Sequence, residues 1–164
     1  MRPGIPILAL FLLFAWLAAP ARAGETGAPS LPRFASLRAD EVNLRAGPGT
    51  QFQVEWVFQR RNLPAEIIAE YGQWRKIRDA DGSEGWVHQS LLSGQRWAMV
   101  IGGRRVLRRD PAETAPAVAR VEPGVLGRLL ACSGAWCRLR IGGDYKGWLP
   151  RGALWGVYPD ETFE

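Results

Sequence analysis

The chain has 164 residues, enough for one ordinary domain or two small ones, and its 47% hydrophobic and 23% charged content excludes a disordered polymer. With 19 Gly and 12 Pro the chain is rich in turn formers, which argues against long helices and for short strands, while two Cys and one His exclude a disulfide-dense scaffold and most histidine-based metal sites. The formal net charge is +5, and it is uneven: residues 37–94 hold 7 basic and 8 acidic side chains, residues 95–164 hold 11 and 7.

In chain order, the first segment reads as an export signal. Arg2 precedes an apolar run from Ile5 to Ala19, and Ala21-Arg22-Ala23 follows Pro20. A basic start, a short apolar run and a small-x-small triplet predict cleavage between Ala23 and Gly24. The run is shorter than the ~20 residues that span a bilayer, so the mature chain is expected to lack a transmembrane segment and to work in the periplasm or outside the cell. Residues 24–36 are polar and rich in Pro and Gly, and read as a disordered linker.

Beyond residue 36 the chain repeats itself. Leu44-Arg45 and Pro48 return as Leu107-Arg108 and Pro111 at an offset of 63. Gly72-x-Trp74, Gly85-Trp86 and Leu92 return as Gly134-x-Trp136, Gly147-Trp148 and Leu154 at an offset of 62. Two copies of a unit of about 60 residues predict two small domains, 37–95 and 96–158, with a tail at 159–164. In the first, five short strands are expected at Val42–Arg45, Phe52–Phe58, Pro64–Tyr71, Trp74–Arg78 and Glu84–His88. In the second they are expected at Arg104–Arg109, Val118–Val121, Val125–Cys132, Trp136–Ile141 and Tyr145–Leu149. Sheets this small close their edges best as strongly bent barrels, so the fold class is all-β, two tandem small barrels.

Val42-Asn43-Leu44-Arg45-Ala46-Gly47-Pro48-Gly49-Thr50, Gly72-x-Trp74 and Gly85-Trp86-Val87-His88 resemble the opening signature, central hairpin and closing strand of bacterial SH3-like domains. The second copy departs from the pattern, with Val106 in place of Asn43 and Asp110-Pro111-Ala112 in place of Gly-Pro-Gly. The resemblance spans residues 37–156. It implies a non-catalytic module that recognises peptidoglycan or a cell-wall-associated peptide. It also implies a groove where the opening loop meets the closing strand, gathering Arg45, Phe52, Trp56, Trp86 and His88, with Arg45 pairing a carboxylate of the wall peptide. Without the Gly-Pro-Gly turn, the second copy's groove is expected to differ or be absent.

Other residues carry less chemistry. Cys132 and Cys137 flank a hairpin, where cross-strand neighbours lie close enough for a structural disulfide; a redox pair is more often Cys-x-x-Cys at a helix start. His88 has no nucleophile in its own copy, and Asp79 and Asp81 lack the spaced oxygens of a calcium loop. No metal or cofactor is expected. Arg104, Arg105, Arg108 and Arg109 form a basic cluster, but 19 of the 21 cations are Arg, which fits genome composition, and an exported protein seldom meets nucleic acid. The leading expectation is a wall-binding protein. An adaptor that binds an envelope protein through a sheet edge is the second, and an enzyme the third.

Overall fold

The computed structural model describes residues 30–162, so the expected cleavage site at Ala23 and Gly24 lies outside the described residues. The fold is all-β, with two seven-stranded antiparallel sheets in succession. The first comprises β1 (Arg33–Leu37), β2 (Val42–Arg45), β3 (Val54–Phe58), β4 (Pro64–Tyr71), β5 (Trp74–Arg78), β6 (Glu84–His88) and β7 (Leu92–Ser93). The second comprises β8 (Trp97–Val100), β9 (Arg105–Arg108), β10 (Ala117–Val121), β11 (Leu126–Ser133), β12 (Trp136–Ile141), β13 (Tyr145–Pro150) and β14 (Leu154–Trp155). The spatial orders, β3-β2-β6-β5-β4-β1-β7 and β10-β9-β13-β12-β11-β8-β14, are the same permutation.

Each domain has two more strands than the five expected. β1 and β8 precede the recognisable motif and pair with β4 and β11, and the two-residue β7 and β14 pair back onto them. β1 starts at Arg33, inside the stretch read as linker, and buries Phe34, Ala35, Ser36 and Leu37. The inner strands follow the expected ranges closely. Period-2 alternation drives their packing: Val42 and Leu44, then Ile77 and Val87, point into the first core, while Leu107, Leu139 and Leu149 point into the second. Gly72 and Gly134 take positive φ (53° and 54°) at the equivalent tight hairpins, which glycine does at least cost.

The two domains are joined by a bonded interface. The Phe34 ring meets Trp155 edge-on at 5.1 Å and Tyr158 at 4.7 Å, and the Arg96 guanidinium lies 5.7 Å from its centroid. Trp155 Nε1 donates to Pro64 O (3.3 Å), Tyr158 OH to Glu66 Oε1 (2.9 Å), Trp97 N to Ser36 Oγ (3.2 Å) and Arg60 Nη1 to Gly124 O (2.9 Å). Tail residue Glu161 accepts from Arg96, and the buried Arg151 donates to the Tyr158 and Glu161 carbonyls, so the tail is part of the junction.

Candidate functional site

Of the five residues expected to form one groove, Arg45, Trp86 and His88 share one face of the first sheet, Trp56 lies on the other, and Phe52 is in the 46–53 loop with its ring against Gly47. Arg45 on β2 lies directly opposite Trp86 on β6, and His88 follows two positions on, so these three share the outward face. Arg45 Nη1 donates to Thr50 O (3.2 Å) and Phe52 O (2.7 Å), which ties the guanidinium to the 46–53 loop. The His88 Nδ1 accepts from the Ser90 N–H (3.3 Å), and its Nε2 donates to Gln73 Oε1 (2.9 Å). His88 thereby caps the short 3-10 turn Gln89–Leu91 and packs edge-on against Trp74, a structural role.

Trp56 points the other way. It is the cross-strand partner of Leu44, whose side chain faces the core, and an irregularity in the β2–β3 register separates that pair from Arg45 and Val54. Trp56 therefore does not converge with Arg45, Trp86 and His88. It is 60% exposed on the sheet's terminal strand, the most exposed Trp among the described residues.

Trp56 lines a cleft of about 450 Å³ at the end of the first core. Its floor is Leu37, Phe58, Leu63, Ala65 and Ile77; Met99 of the second domain closes one side, and the Asp79–Ser83 turn forms the rim. Asp79 Oδ1 accepts from the backbone N–H groups of Asp81 (3.0 Å) and Ser83 (2.8 Å), which fixes the turn and the Asp79 carboxylate. The cleft thus offers an aromatic face, an apolar floor and an anionic rim. Sequence reasoning grouped Trp56 with the wrong partners and took Asp79 and Asp81 only as a polar turn. Their location after β5, at the same end of the sheet as β3, was the missing signal.

The second domain has a different cleft, about 370 Å³, lined by Arg104, Arg105, Arg108, Glu113 and Trp136 among others. It is basic where the first is acidic. At the positions of Trp56 and Asp79 the second domain has Ala119 and Ile141. Three of the four clustered arginines face this cleft rather than simply coating a strand.

Cys132 and Cys137 form a disulfide across the β11–β12 hairpin, at directly paired positions with Cα atoms 4.1 Å apart. Among the described residues, no cluster of His, Cys, Asp and Glu has the composition to hold a metal ion, and no helix is long and apolar enough to cross a membrane.

The model of the bacterial SH3 domain matches residues 38–94 and 102–156, more than half of the chain. The chain belongs to the bacterial SH3 domain family. No curated protein matches it. Among solved structures it is similar to NlpC1 from Trichomonas vaginalis (13% identity, TM-score 0.35, 79% of this chain and 47% of that one). It is also similar to an NlpC/P60 family protein from Bacillus cereus (13% identity, TM-score 0.34, 74% and 55%). The chain spans about half the length of these structures. Within this bacterial SH3 tandem the two family matches coincide with the two sheets, and β1 and β8 fall outside the matched residues.

Proposed function

We propose that this tandem bacterial SH3 protein is an exported binding protein that recognises peptidoglycan or a wall-associated peptide, and that the Trp56 cleft is its ligand site. The observation that carries this is a Trp held 60% exposed beside an apolar floor and a carboxylate rim. A large exposed aromatic next to a concave apolar surface is suited to stacking against sugar or peptide faces. The rim carboxylates of Asp79 and Asp81 accept hydrogen bonds from hydroxyl, amide or ammonium groups, all of which wall glycopeptides carry.

The test is co-sedimentation of the purified protein with peptidoglycan sacculi. Trp56→Ala, confirmed as folded by circular dichroism, should bind about thirtyfold more weakly, the loss of a roughly 2 kcal/mol anchor. Equal binding by the folded variant removes the cleft as the site. An adaptor role remains the second choice because β3 ends its sheet and leaves one backbone edge unpaired, where a partner strand could add. Failure of the wild type to sediment, with capture of an envelope protein blocked by proline substitution on β3, would favour it.

A further inference from the structure

The outward face of the second sheet carries a row of three cations that make no ion pair among the described residues. Arg128, Arg140 and Lys146 are direct cross-strand partners on β11, β12 and β13. Their strand neighbours Gly127, Leu129, Leu139, Ile141 and Gly147 are buried, so alternation turns all three cations outward. One step along, Arg138 lies opposite Trp148, which lies opposite Arg108. Directly opposed side chains stand about 5 Å apart, and like charges there repel. Among the described residues only Arg108 of these five cations has an acidic neighbour, Glu113 at 3.8 Å, itself 77% exposed. The Nε of Arg140 is buried and donates to nothing.

The first domain shows that the fold does not require this. At the same register it has Glu66, Arg78 and Glu84. Arg78 reaches Glu84 at 2.7 Å and Glu66 at 3.2 Å, and Lys76, the counterpart of Arg138, reaches Glu84 at 2.7 Å. One copy neutralises its central arginine with two carboxylates of its own; the other presents an arginine and a lysine in their place. The first copy also shows that a carboxylate fits between these cross-strand neighbours at hydrogen-bonding distance.

We propose that the second sheet's outer face binds a polymer of closely spaced carboxylates. Resting on the wall-binding proposal, that polymer is the peptide of peptidoglycan, met here at a second contact apart from the Trp56 cleft. Guanidinium forks take carboxylates bidentately, and the cations recur about 5 Å apart across strands and about 7 Å apart along them, a spacing that suits a chain of carboxylates rather than one isolated anion. Trp148, between Arg138 and Arg108, offers the polymer an apolar patch.

The test uses Arg128→Glu combined with Lys146→Glu, which rebuilds the first domain's ladder and relieves repulsion, so the variant should be at least as thermally stable as the wild type. Arg61→Glu combined with Arg120→Glu is the control for the same change in net charge. Poly-L-glutamate is the carboxylate probe, measured by calorimetry at low and high salt. Native sacculi and sacculi with amidated carboxylates are the wall probes, and phosphatidylglycerol vesicles the phosphate probe. Expected are binding of poly-L-glutamate that weakens with salt, a loss of tenfold or more in the ladder variant, little loss in the control, and weaker sedimentation with amidated sacculi. Equal loss in the control, no loss in the ladder variant, or tighter binding to the vesicles than to poly-L-glutamate overturns the proposal. Binding of poly-L-glutamate without binding of native sacculi upholds the carboxylate face and overturns the wall-binding proposal. Sedimentation that depends on Trp56 but not on the ladder does the reverse.

Discussion

The two domains fold by the same backbone bonds and differ in what they display. The loop after β2 is closed by Ala46 N to Gln53 O, Gly49 N to Gly47 O and Phe52 N to Gly49 O. The loop after β9 repeats all three, as Arg109 N to Pro116 O, Ala112 N to Asp110 O and Ala115 N to Ala112 O. Even the side-chain tie recurs: Arg45 donates to Phe52 O and Arg108 to Ala115 O, each at 2.7 Å. The Gly-Pro-Gly motif is therefore not what shapes this loop. Gly47 is needed for another reason, since a Cβ there would stand 2.5 Å from the Phe52 ring. The second domain has Asp110 at that place because Ala115 has replaced the ring. Backbone hydrogen bonding constrains the fold, and paired side-chain changes leave the surfaces free to diverge into an acidic cleft on one copy and a basic face on the other.

The largest effect should come from breaking the bond between the copies. Phe34 is 7% exposed, and its ring touches Trp155 and Tyr158 while lying under Arg96. Phe34→Ala removes a packed ring from the junction, at a cost of about 3 kcal/mol. Scanning calorimetry should show one transition for the wild type and two for the variant, with the first domain, which loses the anchor on β1, melting earlier. A single transition in both would mean that the tandem is coupled elsewhere.

A second comparison concerns one position on the hairpins. Cys132 pairs with Cys137 in the second domain, and Glu70 pairs with Arg75 in the first. The disulfide closes a short loop, and its removal in Cys132→Ala/Cys137→Ala should cost about 2 kcal/mol by the chain-entropy model. Glu70 Oε1 takes Arg75 Nε at 3.2 Å and also Arg33 Nη1 at 2.6 Å; both pairs are partly exposed, so Glu70→Gln, which weakens both, should cost about 1 kcal/mol or less. Urea denaturation of each variant measures both. Reductant should reproduce the first effect and leave the stability of the Cys-free variant unchanged. A Glu70→Gln cost equal to the disulfide's would show that the two cross-links are interchangeable.

Much of this was legible in the sequence, and the failures have physical causes. The inner strands, the hairpins at Gly72 and Gly134, and the cysteine pair follow from alternation, turn chemistry and spacing. β7 and β14 were not legible, because two residues carry no period, and β1 was hidden by its attachment to a Pro- and Gly-rich leader. Trp56 was grouped with Arg45 on the family resemblance, which carries no sign of the register irregularity between β2 and β3. His88 drew attention as the only histidine, yet its ring caps a turn that becomes visible only once Gln73 and Ser90 are in place. The cation row was invisible to composition, since it exists only when the β11–β12–β13 register aligns Arg128, Arg140 and Lys146.

The smallest expected effect tests how the tail holds the copies together. Glu161 is partly buried, and burial alone would raise its pKa. The hydrogen bonds from the Arg96 guanidinium and the Tyr158 N–H outweigh that, so its carboxyl sits below the ordinary glutamate value of about 4.5. A carboxyl whose pKa is depressed in the folded state stabilises fully above its unfolded pKa, and that stabilisation is lost as pH falls through the lower folded value. The Arg96–Glu161 contact should therefore contribute at neutral pH and fade from about pH 4.5 downward. The neighbouring Tyr158 hydroxyl is shifted the other way by burial and by its bond to Glu66, so it stays protonated throughout and keeps donating. Partial exposure of Glu161 keeps the contribution well under about 1 kcal/mol, or about 1–2 °C in melting temperature. Glu161→Gln should melt that much earlier than the wild type at pH 6–7, and the difference should shrink as the pH falls below about 4.5. No difference at pH 6–7 would show that the tail is held by its backbone contacts to Arg151 rather than by the charge on Glu161.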